Sequence, residues 1–121
     1  MEIGDILKAS HRSFEKGKHY IIFLEGYNKN NFLGAMITHS DKYGNIPFIV
    51  EHFEELDNEG VNYEIVYDNS YLVQGVFIKP KEWGPFEKVG KLTQNGIEYI
   101  NKHLEGLVPI SFSEYFNKRL Q

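Results

Sequence analysis

Apolar and polar positions group along this chain in short blocks, and the sharpest blocks lie between Gly17 and Ser40. GKHYIIFLEG and FLGAMITHS are runs of Ile, Phe, Leu, Met and Tyr bounded by Gly and Asn and separated by YNKNN. That pattern predicts two buried strands joined as a hairpin. Antiparallel pairing brings the start of the first strand, Lys18 and His19, beside the end of the second, Thr38, His39 and Ser40. The pattern thus proposes a rim carrying a cation, two imidazoles and two hydroxyls.

Ile3, Ile6 and Leu7 predict a first strand within Met1 to Ser10, and HRSFEKG reads as a polar loop leading to Lys18. After the turn-forming SDKYGN, IPFIV is a short strand that Pro47 confines to an edge. EHFEELDNEG reads as a solvated acidic loop ending in a hairpin turn, and VNYEIVY alternates with period two, placing Val61, Tyr63, Ile65 and Tyr67 on one buried face. YLVQGVFIK is a further strand with a bend or bulge at Gly75, and FEKVGKL is a last short one. Thr93 then caps a helix running to about His103, with Ile97, Ile100 and Leu104 on its inner face and Gly106 as its stop. Ser111 and Glu114 have capping-box spacing and predict a second, terminal helix. The expected architecture is mainly β: a small barrel of about six to seven antiparallel strands with two C-terminal helices, one domain over residues 1–121.

Composition narrows the chemistry. The 121 residues include no cysteine, which excludes thiolate nucleophiles, disulfides and cysteine zinc sites. MEIGDILKAS lacks the basic-then-apolar order of a leader, and no apolar run approaches the roughly 18 residues of a membrane span, so the expected location is cytoplasmic, without membrane contact. The net charge of −4 argues against a surface that is basic throughout, while leaving room for a local basic rim.

The order of several strings resembles the PemK and MazF family of toxin endoribonucleases: GDI near the N-terminus, a GK-x-x-IIFL strand, a strand ending in IT-x-S, and VGKLT before a helix. The similarity covers roughly Ile3 to Leu104. It implies an SH3-like barrel, metal-independent cleavage of single-stranded RNA with no cofactor, a homodimer, and a small antitoxin as partner in a toxin-antitoxin system. Thr38 matches the family's threonine of IT-x-S, which acts with an arginine at the scissile phosphate. The family's strand opens with Gly, a variable residue, Arg and Pro; here the residues are Gly17, Lys18, His19 and Tyr20, so His19 stands at the arginine position.

Cleavage by the neighbouring ribose 2′-hydroxyl needs a base, an acid and donors for the phosphate oxygens. An imidazole titrates near neutrality, which suits His19 to acid–base work with Thr38 as its partner. Lys18, His39, His11 and Arg12 are the candidate RNA contacts, the last two from the loop. Trp83, Tyr27, Tyr43 and Phe86 offer stacking faces for bases. His52 and its acidic neighbours lack the H-E-x-x-H spacing of a zinc helix. The rival expectation is a non-catalytic SH3-like module whose aromatic rim binds a protein or peptide.

Overall fold

Strands with apolar residues on both faces occupy the middle of a sheet, and β2 (Lys18–Gly26) and β3 (Asn31–Thr38) do so here. The computed structural model describes residues 1–10, 18–63, 69–80, 86–111, 114, 115 and 117; the side chains of residues 9, 10, 18, 19 and 80 are outside that description. The two central strands pair antiparallel, with Tyr20 opposite Ile37 and Ile22 opposite Ala35. Asn28 closes their turn, its side-chain oxygen accepting from the Asn30 backbone N–H and the Asn31 amide, each at 3.0 Å.

Around this hairpin lie β1 (Asp5–Ser10), β4 (Ile46–Pro47), β5 (Tyr71–Leu72), β6 (Phe77–Pro80) and β7 (Glu87–Lys91). The seven strands form one sheet in the order β4-β5-β3-β2-β1-β7, with β6 also against β3, and every ladder is antiparallel. The mainly β class is as expected. YLVQGVFIK, however, makes two strands. β5 pairs with Ile37 and Thr38 and β6 with Asn31 to Gly34, while Val73 to Val76 leave the ladder between them. Gly75 sits over the Phe77 ring, where a Cβ would fall 2.7 Å from Cζ.

The outer strands β4 and β7 are not paired with each other among the described residues. β4 is two residues long and contains Pro47, which has no N–H to extend a ladder, and the chain then enters a 3-10 turn at Val50–His52. The next residues reach the end of β7 through a single bridge, Phe53 to Leu92, flanked by Glu54 N–H to Lys91 O at 2.8 Å and Thr93 N–H to His52 O at 2.9 Å. The expected barrel is thus a curled sheet whose ends are tied at one point.

The alternating VNYEIVY does not begin as a strand with a buried face. Asp57 accepts from the N–H groups of Glu59 and Val61 at 2.8 and 2.9 Å, a tight turn that leaves Val61 58% exposed. Residues 64–67 of that expectation lie outside the described residues.

One core lies between the sheet and helix α1 (Gln94–Leu104). The Thr93 hydroxyl accepts from Gly96 N–H at 3.1 Å, Ile100 and Leu104 are buried, and Ile97 packs beside them, as the helical spacing predicts. The reverse face of β2 and β3 is also covered, by Leu7, Ile21 and Phe32 at one end and by Met36, Val73 and Phe77 at the other. Ser111 Oγ accepts from Glu114 N–H at 3.2 Å, the contact the capping spacing predicts; α1 is the one helix of the described C-terminal elements, and the second expected helix falls largely on residues outside the description. No helix among the described residues is long and apolar enough to cross a membrane.

Candidate functional site

The register of the central hairpin defines the rim. β2 pairs Tyr20 with Ile37, so continuing the ladder by one residue sets the backbone of His19 beside Thr38. His19 pairs on its other side with Ala9, and Thr38 with Tyr71. The antiparallel arrangement therefore brings the opening of β2 and the end of β3 together on rigid strands. His11 and Arg12 lie outside the described residues, as do the side chains of Lys18 and His19.

The described polar groups at the rim hold its turn. Thr38 Oγ1 accepts from Ser40 N–H at 3.2 Å, Ser40 Oγ accepts from Lys42 N–H at 3.3 Å, and the Asn45 amide donates to Ser40 O at 3.0 Å. His39 is exposed, with Nδ1 3.1 Å from the carbonyl oxygen of Asn69. Among the described residues these contacts leave the Thr38 hydroxyl proton for an outside acceptor, and a phosphate oxygen is one it suits.

A second group on this side of the sheet escaped the sequence reading. Lys79, opposite Phe32 in the ladder, is 4% exposed. Its ammonium reaches 3.7 Å from Met36 Sδ and 5.5 Å from the centre of the Phe77 ring. The side chain thus extends past Gly34 to Met36, one alternate position short of Thr38. Burial penalises the charged form and lowers its pKa to about 8, a perturbation of the kind that clusters at functional sites. The available signal was period two, because Val73, Gly75, Phe77 and Lys79 recur on alternate positions, which makes the lysine a member of an apolar face.

His52 differs from the expected solvated loop. It is 7% exposed, its Nδ1 accepts from Ile49 N–H at 3.0 Å, and its ring stacks on Tyr99. Burial lowers its pKa, against the opposing charge of Glu51. Tyr99 also meets His103 edge-on at 4.7 Å between ring centres, so that histidine has a packing contact as well as a place at the helix end. Among the candidate stacking residues, Tyr27 and Tyr43 are exposed, Phe86 packs edge-on against buried Phe32, and Trp83 lies outside the described residues.

Among the described residues no group of three or more His, Asp or Glu side chains is placed to hold a metal ion. No protein-family model, curated protein or solved structure matches the chain.

Proposed function

We propose that the rim formed by His19, Thr38 and His39 binds single-stranded RNA and cleaves it by attack of a ribose 2′-hydroxyl on the adjacent phosphorus. The new O–P bond closes a 2′,3′-cyclic phosphate as the bond to the 5′-oxygen breaks. His19 takes the 2′-hydroxyl proton, a protonated group at the rim supplies the one that the 5′-oxygen needs, and the Thr38 hydroxyl donates to a phosphate oxygen. Lys18, with His11 and Arg12, contacts the flanking phosphates. A homodimer and a small antitoxin partner in the cytoplasm belong to the same reading and rest on the family resemblance alone.

The observation that supports this reading is the β2–β3 register, which pairs Tyr20 with Ile37 and, continued by one residue, sets the backbone of His19 beside Thr38, the residue that matches the family's threonine. Buried Lys79, its pKa lowered by burial to about 8, adds a positive potential along the same side of the sheet. A specific observation favours the rival, an SH3-like module that binds a protein or peptide. The Thr38 and Ser40 hydroxyl oxygens already accept from the local turn and His39 Nδ1 is held against the Asn69 carbonyl oxygen, a purely structural use of these side chains.

Incubation of the purified protein with a long single-stranded RNA and with DNA of the same sequence, each with and without chelator, tests the proposal. RNA cut equally in both conditions beside intact DNA is the expected result, since DNA lacks the nucleophile. Intact RNA favours the binding module.

A further inference from the structure

A groove of about 470 Å³ lies on the side of the sheet that carries α1, away from the Thr38 rim. Leu33, Val76 and Leu104 form its buried floor, while Ile3 and Leu107 stand half-exposed at its edge. Its charged residues are Glu25 and Glu105, both exposed and neither engaged in a side-chain hydrogen bond or ion pair among the described residues.

The position of Glu25 follows from a fault in the ladder. Phe23 pairs with Gly34, but the next pair is Glu25 with Leu33, so Leu24 is the extra residue of a β-bulge. Strict alternation would put Glu25 on the same face as Phe23, the reverse face of the sheet. The bulge turns it to the face of Leu33, where it lines the groove, and re-aiming a side chain is what bulges accomplish. Glu105 arrives from the other side, as the residue that ends α1. The helix C-terminus adds its own partial negative charge there, and left-handed Gly106, at φ 79°, turns the chain so that Leu107 forms the edge.

We propose that this groove docks a segment of a partner protein in which an apolar side chain is flanked by lysine or arginine. The apolar floor takes the side chain, and the two carboxylates with the helix end take the cations. A protein segment fits better than a small amphiphile because the groove offers two separate carboxylates, Glu25 from β2 and Glu105 from the end of α1, and a single ammonium head group answers only one of them. An exposed apolar groove with a charged edge marks such contacts.

The test is a titration of the isotope-labelled full chain, followed by amide chemical shifts, with the peptide acetyl-KLLKLLK-amide and its counterpart acetyl-ELLELLE-amide. The lysine peptide should shift the amides of Leu24, Leu33 and Leu107, and the glutamate peptide should not. Glu25→Gln with Glu105→Gln should weaken binding by about threefold to tenfold, the worth of two exposed ion pairs. Both sites are exposed, so the double variant keeps its fold; Leu107→Ser, also exposed, should weaken binding independently. Several results would overturn the proposal: no shifts, equal binding of both peptides, shifts confined to the acidic 54–62 turn, or unaltered affinity in the variants. It would also fail if octylamine bound as tightly as the peptide, or if the same amides moved with protein concentration alone, which would mark self-association.

Discussion

The His52 imidazole lies face to face with the Tyr99 ring, centres 4.1 Å apart and planes 24° from parallel. This stack fastens the 3-10 turn to α1, and backbone contacts reinforce it: Thr93 Oγ1 donates to Glu51 O at 2.6 Å, and the Tyr99 hydroxyl donates to Pro47 O. The contact ties the segment after β4 to the helix after β7, which is where the sheet's two ends meet.

Acid should loosen this joint. Nδ1 of His52 accepts a hydrogen bond and the ring is buried, so the folded state favours neutral imidazole and its pKa is lowered. The groups in contact with it are Tyr99 on the helix, Phe48, and Glu51 on its own turn; only Glu51 favours the charged form. The unfolded chain therefore takes up the proton first as pH falls. The stabilisation is complete above about pH 6.5, the ordinary histidine value, and is lost progressively below it. Thermal midpoints of wild type and His52→Gln between pH 7.5 and 5 check this: the wild type should lose more stability, and parallel curves would contradict the assignment.

Gly96→Ala should destabilise, although alanine in a helix interior ordinarily gains about 1 kcal/mol over glycine. A Cβ at this position would lie 2.2 Å from the carbonyl oxygen of His52, and that oxygen is backbone, so the helix must back away from the turn. The cost should approach about 3 kcal/mol, the upper range for overpacking. A urea midpoint that rises, or stays unchanged, would show that α1 does not approach His52 so closely.

How much of this was legible in sequence depends on where each residue's partner lies. The β2–β3 hairpin and α1 were readable because their apolar periods and their punctuation, YNKNN and Thr93 to Gly106, are local. The split of YLVQGVFIK was only half visible: Gly75 marked a bend, but whether β5 and β6 share a partner depends on β3. His52 looked solvated among acidic neighbours because what buries it, Tyr99, lies far along the chain. Val61 alternated like a strand residue, and the Asp57 turn fixed it otherwise. At the rim, residue types and register were readable, whereas burial of Lys79 required the whole reverse face of the sheet.

Lys79 predicts the opposite response to base. Its pKa of about 8 lies below the ordinary lysine value of about 10.4, so the unfolded chain holds its proton longer as pH rises. Stability from this group should increase between about pH 8 and 10.4, because charge no longer opposes burial. Lys79→Met keeps an unbranched apolar chain and should be more stable than wild type at pH 7, with the difference closing at pH 10. Equal stability at both values would mean that the ammonium is hydrated.

The central claim is that His19 and Thr38 form an RNA-cleaving rim, and its most direct measurement is the cleavage rate of one single-stranded RNA by wild type, His19→Ala and Thr38→Val in the presence of chelator, with the product ends identified. The account predicts 2′,3′-cyclic phosphate ends. It also predicts a rate lowered roughly a hundred- to ten-thousand-fold by His19→Ala and by about a hundred-fold or more by Thr38→Val, with both variants retaining the wild-type circular dichroism spectrum. Wild-type protein that leaves the RNA whole, or a folded His19→Ala variant that cuts it at the wild-type rate, would contradict it.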